Sequence, residues 1–225
     1  MFYDLIIVSK SIPILTPVTQ RCIDSARAEG NVNVILVETG NPYKYRGVDK
    51  FIQYNGEFNY NRALNMGLKY VQGDIYILAN NDLIFHPGWS QIGELMRANG
   101  YHSASAYSIG TPVKKDGMLY EGYAIGAILN GWCIFIDRFV LDAIGKLDET
   151  MTFWFSDNLY GAQIKAAGIK HALFTSVQVD HIGSATLKKT STRLRRKYEM
   201  GELGKFYERQ RYYDSRLRPA YSQDL

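Results

Sequence analysis

Five short stretches of this 225-residue chain carry residue types suited to binding a cation, a phosphate or a nucleotide base. The apolar run Ile77-Leu-Ala stops at Asn80-Asn81-Asp82, where a carboxylate appears beside two amides. Oxygen ligands of that kind suit a hard divalent cation bridging a diphosphate, although an Asn/Asp turn closing a strand has the same composition. A second acid, Glu38, ends the run Val34 to Val37, and Ser9-Lys10-Ser11 ends the run Leu5 to Val8. An acid so placed accepts hydrogen bonds from a base or ribose, or is a solvated loop acid. Asn61, Arg62 and Asn65 fall in a helical pattern where Asn65 and Gly67 are poor helix formers unless something else requires them. Their amides and guanidinium suit a base or a phosphate, and the alternative is an ordinary helix packed through Leu64 and Leu68. Lastly, His181 in Val179-Asp180-His181-Ile182-Gly183 offers an imidazole to complete the coordination of Mn²⁺ beside carboxylate and diphosphate oxygens. A lone histidine is more often structural.

These residues need a scaffold that brings strand ends together. The first half of the chain alternates short β-branched runs with longer helical patterns, which predicts a parallel sheet with crossover helices. Strands are expected at Leu5–Val8, Val34–Val37 and Ile75–Ala79, with helices opening at Pro17 and spanning about Tyr60 to Val71. In such sheets ligands gather beyond the carboxyl ends of the strands, where Ser9, Glu38 and Asn80 to Asp82 fall. The second half predicts a helix near Gly88 to Ala98 and strands at Tyr101–Tyr107, Ala124–Leu129, Trp132–Ile136 and His171–Val179. A further helix is expected over Arg138–Ile144, and a basic helical tail from about Leu187 to Arg211.

An apolar fraction of 46% supports a sizeable core. No window approaches the roughly 18 consecutive apolar residues of a bilayer span, and Leu5–Val8 is too short for a signal-peptide core, so a cytoplasmic location is expected. Cys22 and Cys133 cannot by themselves form a disulfide framework or a zinc site. The net charge of +4 is uneven: residues 188–218 hold eleven Lys and Arg against four Asp and Glu, which leaves −3 for the rest. A +7 segment suits a polyanionic partner or is a solvated helix face.

In order and spacing the motifs resemble glycosyltransferase family 2, of rhamnosyltransferase-like type. The resemblance rests on Leu78-Ala-Asn80-Asn81-Asp82 followed by Pro87-Gly88-Trp89, on Ala63-Leu-Asn65-Met-Gly67, on Gly131-Trp132, on Ser156-Asp157 ahead of Ala167-Gly168, and on His181 with Gly183. It covers about residues 4–186. It implies an α/β GT-A fold, a mostly parallel Rossmann-like mixed sheet flanked by helices, with a nucleotide-sugar-binding half at 1–100, an acceptor half at 101–187 and a basic extension at 188–225. It also implies a nucleotide-diphosphate sugar donor, Mn²⁺ or Mg²⁺, and inversion at the anomeric carbon. On this resemblance Asp82 is the direct metal ligand with His181, Asn80 and Asn81 belong to the DxD-like motif, and Ser9, Glu38, Asn61, Arg62 and Asn65 line the nucleotide. Asp157 stands at the catalytic-base position, and Trp132 and Trp154 supply acceptor stacking surfaces. Four departures stand out: Glu38 replaces the usual Asp, Asn80 replaces the first Asp of DxD, Ser156 replaces the usual Glu, and Leu159 replaces the second Asp of that segment.

The expected acceptor is a saccharide hydroxyl. A hydroxymethylated base in DNA is the alternative, because Tyr198, Tyr207, Tyr212 and Tyr213 interleave with the basic tail. A nucleotide- or nucleic-acid-binding protein without catalysis is a third reading, kept open by Asn80 and Ser156.

Overall fold

The computed structural model describes residues 1–183 and 192–217, with side chains omitted over 192–199. The boundary expected at residue 187, with Lys188, Lys189 and Arg218, lies outside the described residues.

Strand β1 (Tyr3–Ser9) is buried along its whole length, as a strand covered on both faces must be. Its alternate residues serve different layers: Leu5 and Ile7 join one core with Trp89 and Phe135, while Ile6 and Val8 join another with Tyr60, Leu64 and Tyr160. Helix α1 (Thr16–Arg27) starts with Pro17 in its first turn, where a missing N–H costs nothing. Strands β2 (Val32–Glu38), β3 (Lys50–Gln53) and β4 (Ile75–Asn80) complete a parallel set in the order β3-β2-β1-β4. Helix α2 (Tyr60–Leu68) is capped by the Asn59 side chain, which accepts from Arg62 N–H. It lies so close to β1 that a Cβ on Gly67 would collide with Ile6, which accounts for a poor helix former in its interior.

After β4 the topology changes. The chain turns through β5 (Leu83–Phe85), a single 3₁₀ turn at Trp89–Gln91 and α3 (Ile92–Asn99), then β6 (Ser103–Tyr107), β7 (Leu119–Glu121) and β8 (Cys133–Asp137). Helices α4 (Arg138–Ile144) and α5 (Ser156–Ala166), strand β9 (His171–His181) and helix α6 (Thr192–Asp214) follow. Strand β8 is antiparallel to β4 and β6, and β9 runs parallel to β6 but antiparallel to β5 and β7. One mixed sheet thus spans both expected halves, with the parallel set β3-β2-β1-β4 in the first half.

The expected strand over Ala124–Leu129 does not form. The N–H groups of Ala127, Ile128 and Leu129 all donate to the Ala124 carbonyl, and Gly126 adopts φ +74°, so these apolar residues make a tight turn. Helix α6 packs on α5 through a third apolar cluster of Met151, Leu159, Phe206 and Tyr213.

Candidate functional site

Pairing of β5 with β9 sets Leu83 opposite His181, which brings the end of the chain's last strand beside the Asn80–Asp82 turn. His181 Nε2 lies 3.0 Å from Asp82 Oδ1 and 3.5 Å from Asn80 Nδ2. Backbone bonds fix both strands: Ile182 N–H donates to the Asp82 carbonyl, and Asn80 N–H to the Trp132 carbonyl. The Trp132 ring stacks on His181 with centroids 5.2 Å apart and planes 9° apart. One face of Trp132 is therefore covered by the imidazole and is closed to a sugar.

Tyr60 orients the Asn80 amide by donating its hydroxyl to Asn80 Oδ1 at 2.8 Å. Burial above all, with the carboxylate charges of Asp82 and Asp157 adding to it, pushes the Tyr60 phenol far above its ordinary pKa, so it remains a neutral donor. Asp157 sits in the first turn of α5 and accepts from Asn158 N–H at 2.9 Å. Desolvation raises its pKa above the usual aspartate value. It rests against Gly131, where a Cβ would approach the Asp157 side chain more closely than 3.0 Å. Gly131 in turn precedes Trp132, so Asp157 and the Asp82–His181 pair flank one short segment of chain. Two polar atoms on that segment, Asn130 Oδ1 and Trp132 Nε1, are buried with no hydrogen-bond partner among the described residues, which leaves an acceptor and a donor unmatched beside the pair.

Asp82 and His181 touch directly, as an imidazole–carboxylate pair, and their spacing also suits two neighbouring ligands of a divalent cation. Octahedral bonds of about 2.1 Å place neighbouring donor atoms about 3.0 Å apart, which is the Asp82–His181 spacing. No group of three His, Cys, Asp or Glu side chains suited to a metal exists among the described residues. The remaining ligands would come from a diphosphate and water, as is usual for Mg²⁺. Asn81 is turned away, donating to Thr19 Oγ1 at 2.8 Å on α1.

The expected nucleotide contacts fare differently. Glu38 is fully buried, and its carboxylate already accepts from Ser11 N–H at 2.7 Å, Ser11 Oγ at 2.5 Å and Gly40 N–H at 2.7 Å. Tyr45 bridges Ser11 and Ser9 from the other side, at 2.9 and 3.4 Å. Glu38 and Ser9 therefore tie the loops after β1 and β2 together, and the carboxylate is not presented to a base. Asn61, Arg62 and Asn65 do not reach the Asp82–His181 corner either. Asn61 donates to the Asp148 carbonyl at 2.6 Å, Asn65 exchanges bonds with Leu147 at 2.9 and 3.0 Å, and Arg62 pairs with Glu149 at 3.1 Å. These three side chains clamp the segment ahead of α5, which is why helix-disfavoured amides stand there.

Sequence reasoning missed the residues that hold the segment from the C-terminal side. Glu202 on α6 accepts from the N–H groups of Thr152 at 2.5 Å, Phe153 at 3.4 Å and Trp154 at 2.9 Å. Arg209 and Tyr213 both bond Asp148, at 2.6 and 2.8 Å. Trp154 packs edge-on against Phe153 at 5.3 Å. A helical continuation over Tyr198 to Phe206 folding back over the site is the one sequence expectation that pointed this way, and it named none of these bonds, since the partners lie some fifty residues away.

No family model and no curated protein matches the chain. Among solved structures it superposes on the crystal structure of S. aureus TarS 1–349 with a TM-score of 0.63, over 80% of this chain and 60% of that chain, at 11% identity. The likeness is one of fold. The mixed α/β sheet flanked by helices that the resemblance implied is shared with this structure. No helix among the described residues is long and apolar enough to cross a membrane.

Proposed function

We propose that this chain transfers a sugar from a UDP- or dTDP-linked donor to a hydroxyl of a saccharide acceptor, with Mn²⁺ or Mg²⁺ and with inversion. The observation that carries the reading is the convergence of Asp82, His181 and Asn80 at a strand end, with Asp157 across Gly131. The fold shared with TarS supports a glycosyl-transfer role in general.

Asp82 and His181 would hold the cation, which when bound would supply positive charge to neutralise that developing on a departing diphosphate. The buried Trp132 N–H, without a partner among the described residues, is a further donor on the segment between Asp157 and the Asp82–His181 pair. Asp157 accepts the acceptor proton at its carboxylate, and its raised pKa makes it a stronger base than a solvated aspartate. Tyr60, kept protonated, holds Asn80 in one orientation while the charge redistributes.

The test is release of nucleoside diphosphate from a panel of UDP- and dTDP-sugars, with and without added Mn²⁺. Metal-stimulated release that disappears in Asp82→Ala supports the reading. If no nucleotide sugar is turned over, or release proceeds equally in Asp82→Ala, the reading is wrong.

A further inference from the structure

Helix α6 begins beyond the expected catalytic domain, yet its buried acid Glu202 reaches back into the segment that leads to Asp157. Three consecutive peptide N–H groups, those of Thr152, Phe153 and Trp154, point at this one carboxylate. They lie just ahead of the α5 N-cap Phe155, outside helix and sheet, where backbone amides have no ladder partner and must find acceptors elsewhere. The carbonyl of the same Thr152 accepts from Tyr60 N–H at 2.8 Å. Glu202 is thereby linked through Thr152 to Tyr60, and through the Tyr60 hydroxyl to Asn80 at the candidate ion site.

A second observation falls on the same segment. Phe155 adopts φ +62°, the left-handed region, and it is the non-glycine residue with positive φ among the described residues. Such a conformation costs on the order of 1 kcal/mol and persists only where the surroundings dictate it. The surroundings here are α6: the Phe155 ring stacks on Phe206, with centroids 4.8 Å apart and planes 15° apart. One face of α6 thus holds the amides before Phe155 and the ring of Phe155 itself, two residues ahead of Asp157.

We infer that Glu202 is a positioning residue for the candidate base: with Phe206 it fixes residues 152–155 so that α5 begins where it presents Asp157 beside Gly131. The inference rests on the sugar-transfer reading for its kinetic consequence, and on the loop geometry alone for its structural one. Helix α6 is then part of the catalytic unit, and the acidic residue buried in an otherwise basic tail has a defined task.

The experiment compares the wild-type chain with Glu202→Gln, which keeps the shape but replaces one acceptor oxygen with an N–H₂ group facing peptide donors. Met200→Ala, at an exposed position on the same helix, is the control. The chain's three tryptophans are labelled with 5-fluorotryptophan, and the Trp154 resonance is followed by ¹⁹F NMR beside those of Trp89 and Trp132. The expected result is a shifted or broadened Trp154 signal in Glu202→Gln alone, kcat lowered by about 10- to 100-fold, and a nucleotide-sugar Kd within about twofold of wild type. An unchanged Trp154 signal, an unchanged kcat, or a loss of donor affinity parallel to the loss of turnover each overturns the inference. Should Glu202→Gln fail to fold, Phe206→Leu, which removes the ring stack but keeps apolar bulk, is held to the same outcomes. If the wild-type chain itself transfers no sugar, the functional reading fails, and the Trp154 signal still decides whether Glu202 sets the loop.

Discussion

His181 Nε2 lies 3.0 Å from Asp82 Oδ1, joining the last strand of the sheet to the turn at its middle. Two protein donors alone make a weak cation site, because a hard divalent ion asks for about six oxygen or nitrogen ligands. Mn²⁺ alone should therefore leave the thermal midpoint nearly unchanged, while Mn²⁺ with UDP or dTDP should raise it, since a ligand that binds only the folded chain adds to stability. Replacing either residue by Ala should weaken that joint effect by at least about tenfold in apparent Kd. The double replacement should cost little more than one, because both act on the same ion. A strong shift from Mn²⁺ alone would contradict the shared site.

Asp157 links activity to stability with opposite signs. Its folded pKa is raised, so between the unfolded aspartate value of about 3.9 and the folded value the native state binds more protons than the unfolded one. Stability therefore falls as pH rises through that window, and above it the desolvated charge is a standing cost. Asp157→Asn should melt higher than wild type at neutral pH, with the gap closing as pH drops below about 4. The same variant should lose about 10²- to 10⁴-fold in transfer rate. Differential scanning fluorimetry from pH 3 to 8, with turnover assays beside it, measures both; a lower melting point for Asp157→Asn at pH 7 would contradict the burial argument.

The strands that carry the candidate site were legible because each is an apolar run that stops abruptly at a polar residue, as at Ala79–Asn80 and Val37–Glu38. What the sequence could not show was which group each polar residue meets. Glu38 stands at a strand end as expected, but its partners Ser11 and Gly40 come from two loops folded over it. Asn65 was recognised as odd in a helix, yet the cause, for it as for Asn61, is a segment more than eighty positions later, beyond any local pattern. Ala124–Leu129 is apolar enough for a strand, and only Gly126 and a shared carbonyl acceptor make it a turn. Strands β5 and β7, three residues each, are too short to leave a periodicity.

Gly131 gives Asp157 its place. A methyl group there would meet the Asp157 Cβ and carboxylate, atoms at the root of the side chain that cannot swing aside. Gly131→Ala should lower stability by about 1–3 kcal/mol, as overpacking does, and should depress turnover more than donor binding. Urea denaturation and a separate donor Kd distinguish the two effects. Gly126→Ala is the comparison: a Cβ there meets nothing, so only its positive φ resists, and turnover should survive.

Asp148 is the point where α6 is fastened, and its charge sets a pH limit on that fastening. Burial works to raise its pKa, but hydrogen bonds from Thr150, Tyr213 and Arg209 outweigh it and leave the carboxyl below its ordinary value. A depressed folded pKa means that the contribution is complete above the unfolded value of about 3.9 and is lost as pH falls through the folded one. Asp148→Asn should cost about 1–3 kcal/mol at pH 7, the range for a hydrogen bond to a charged group, discounted because Arg209 is a third exposed. Arg209→Met should cost less than Asp148→Asn, since Tyr213 and Thr150 still bond the carboxylate. Urea melts of the two variants at pH 7 and pH 3 check the order and the sign: the penalty of Asp148→Asn should shrink at pH 3, and a penalty of equal size at both would mean that packing rather than charge fastens the helix.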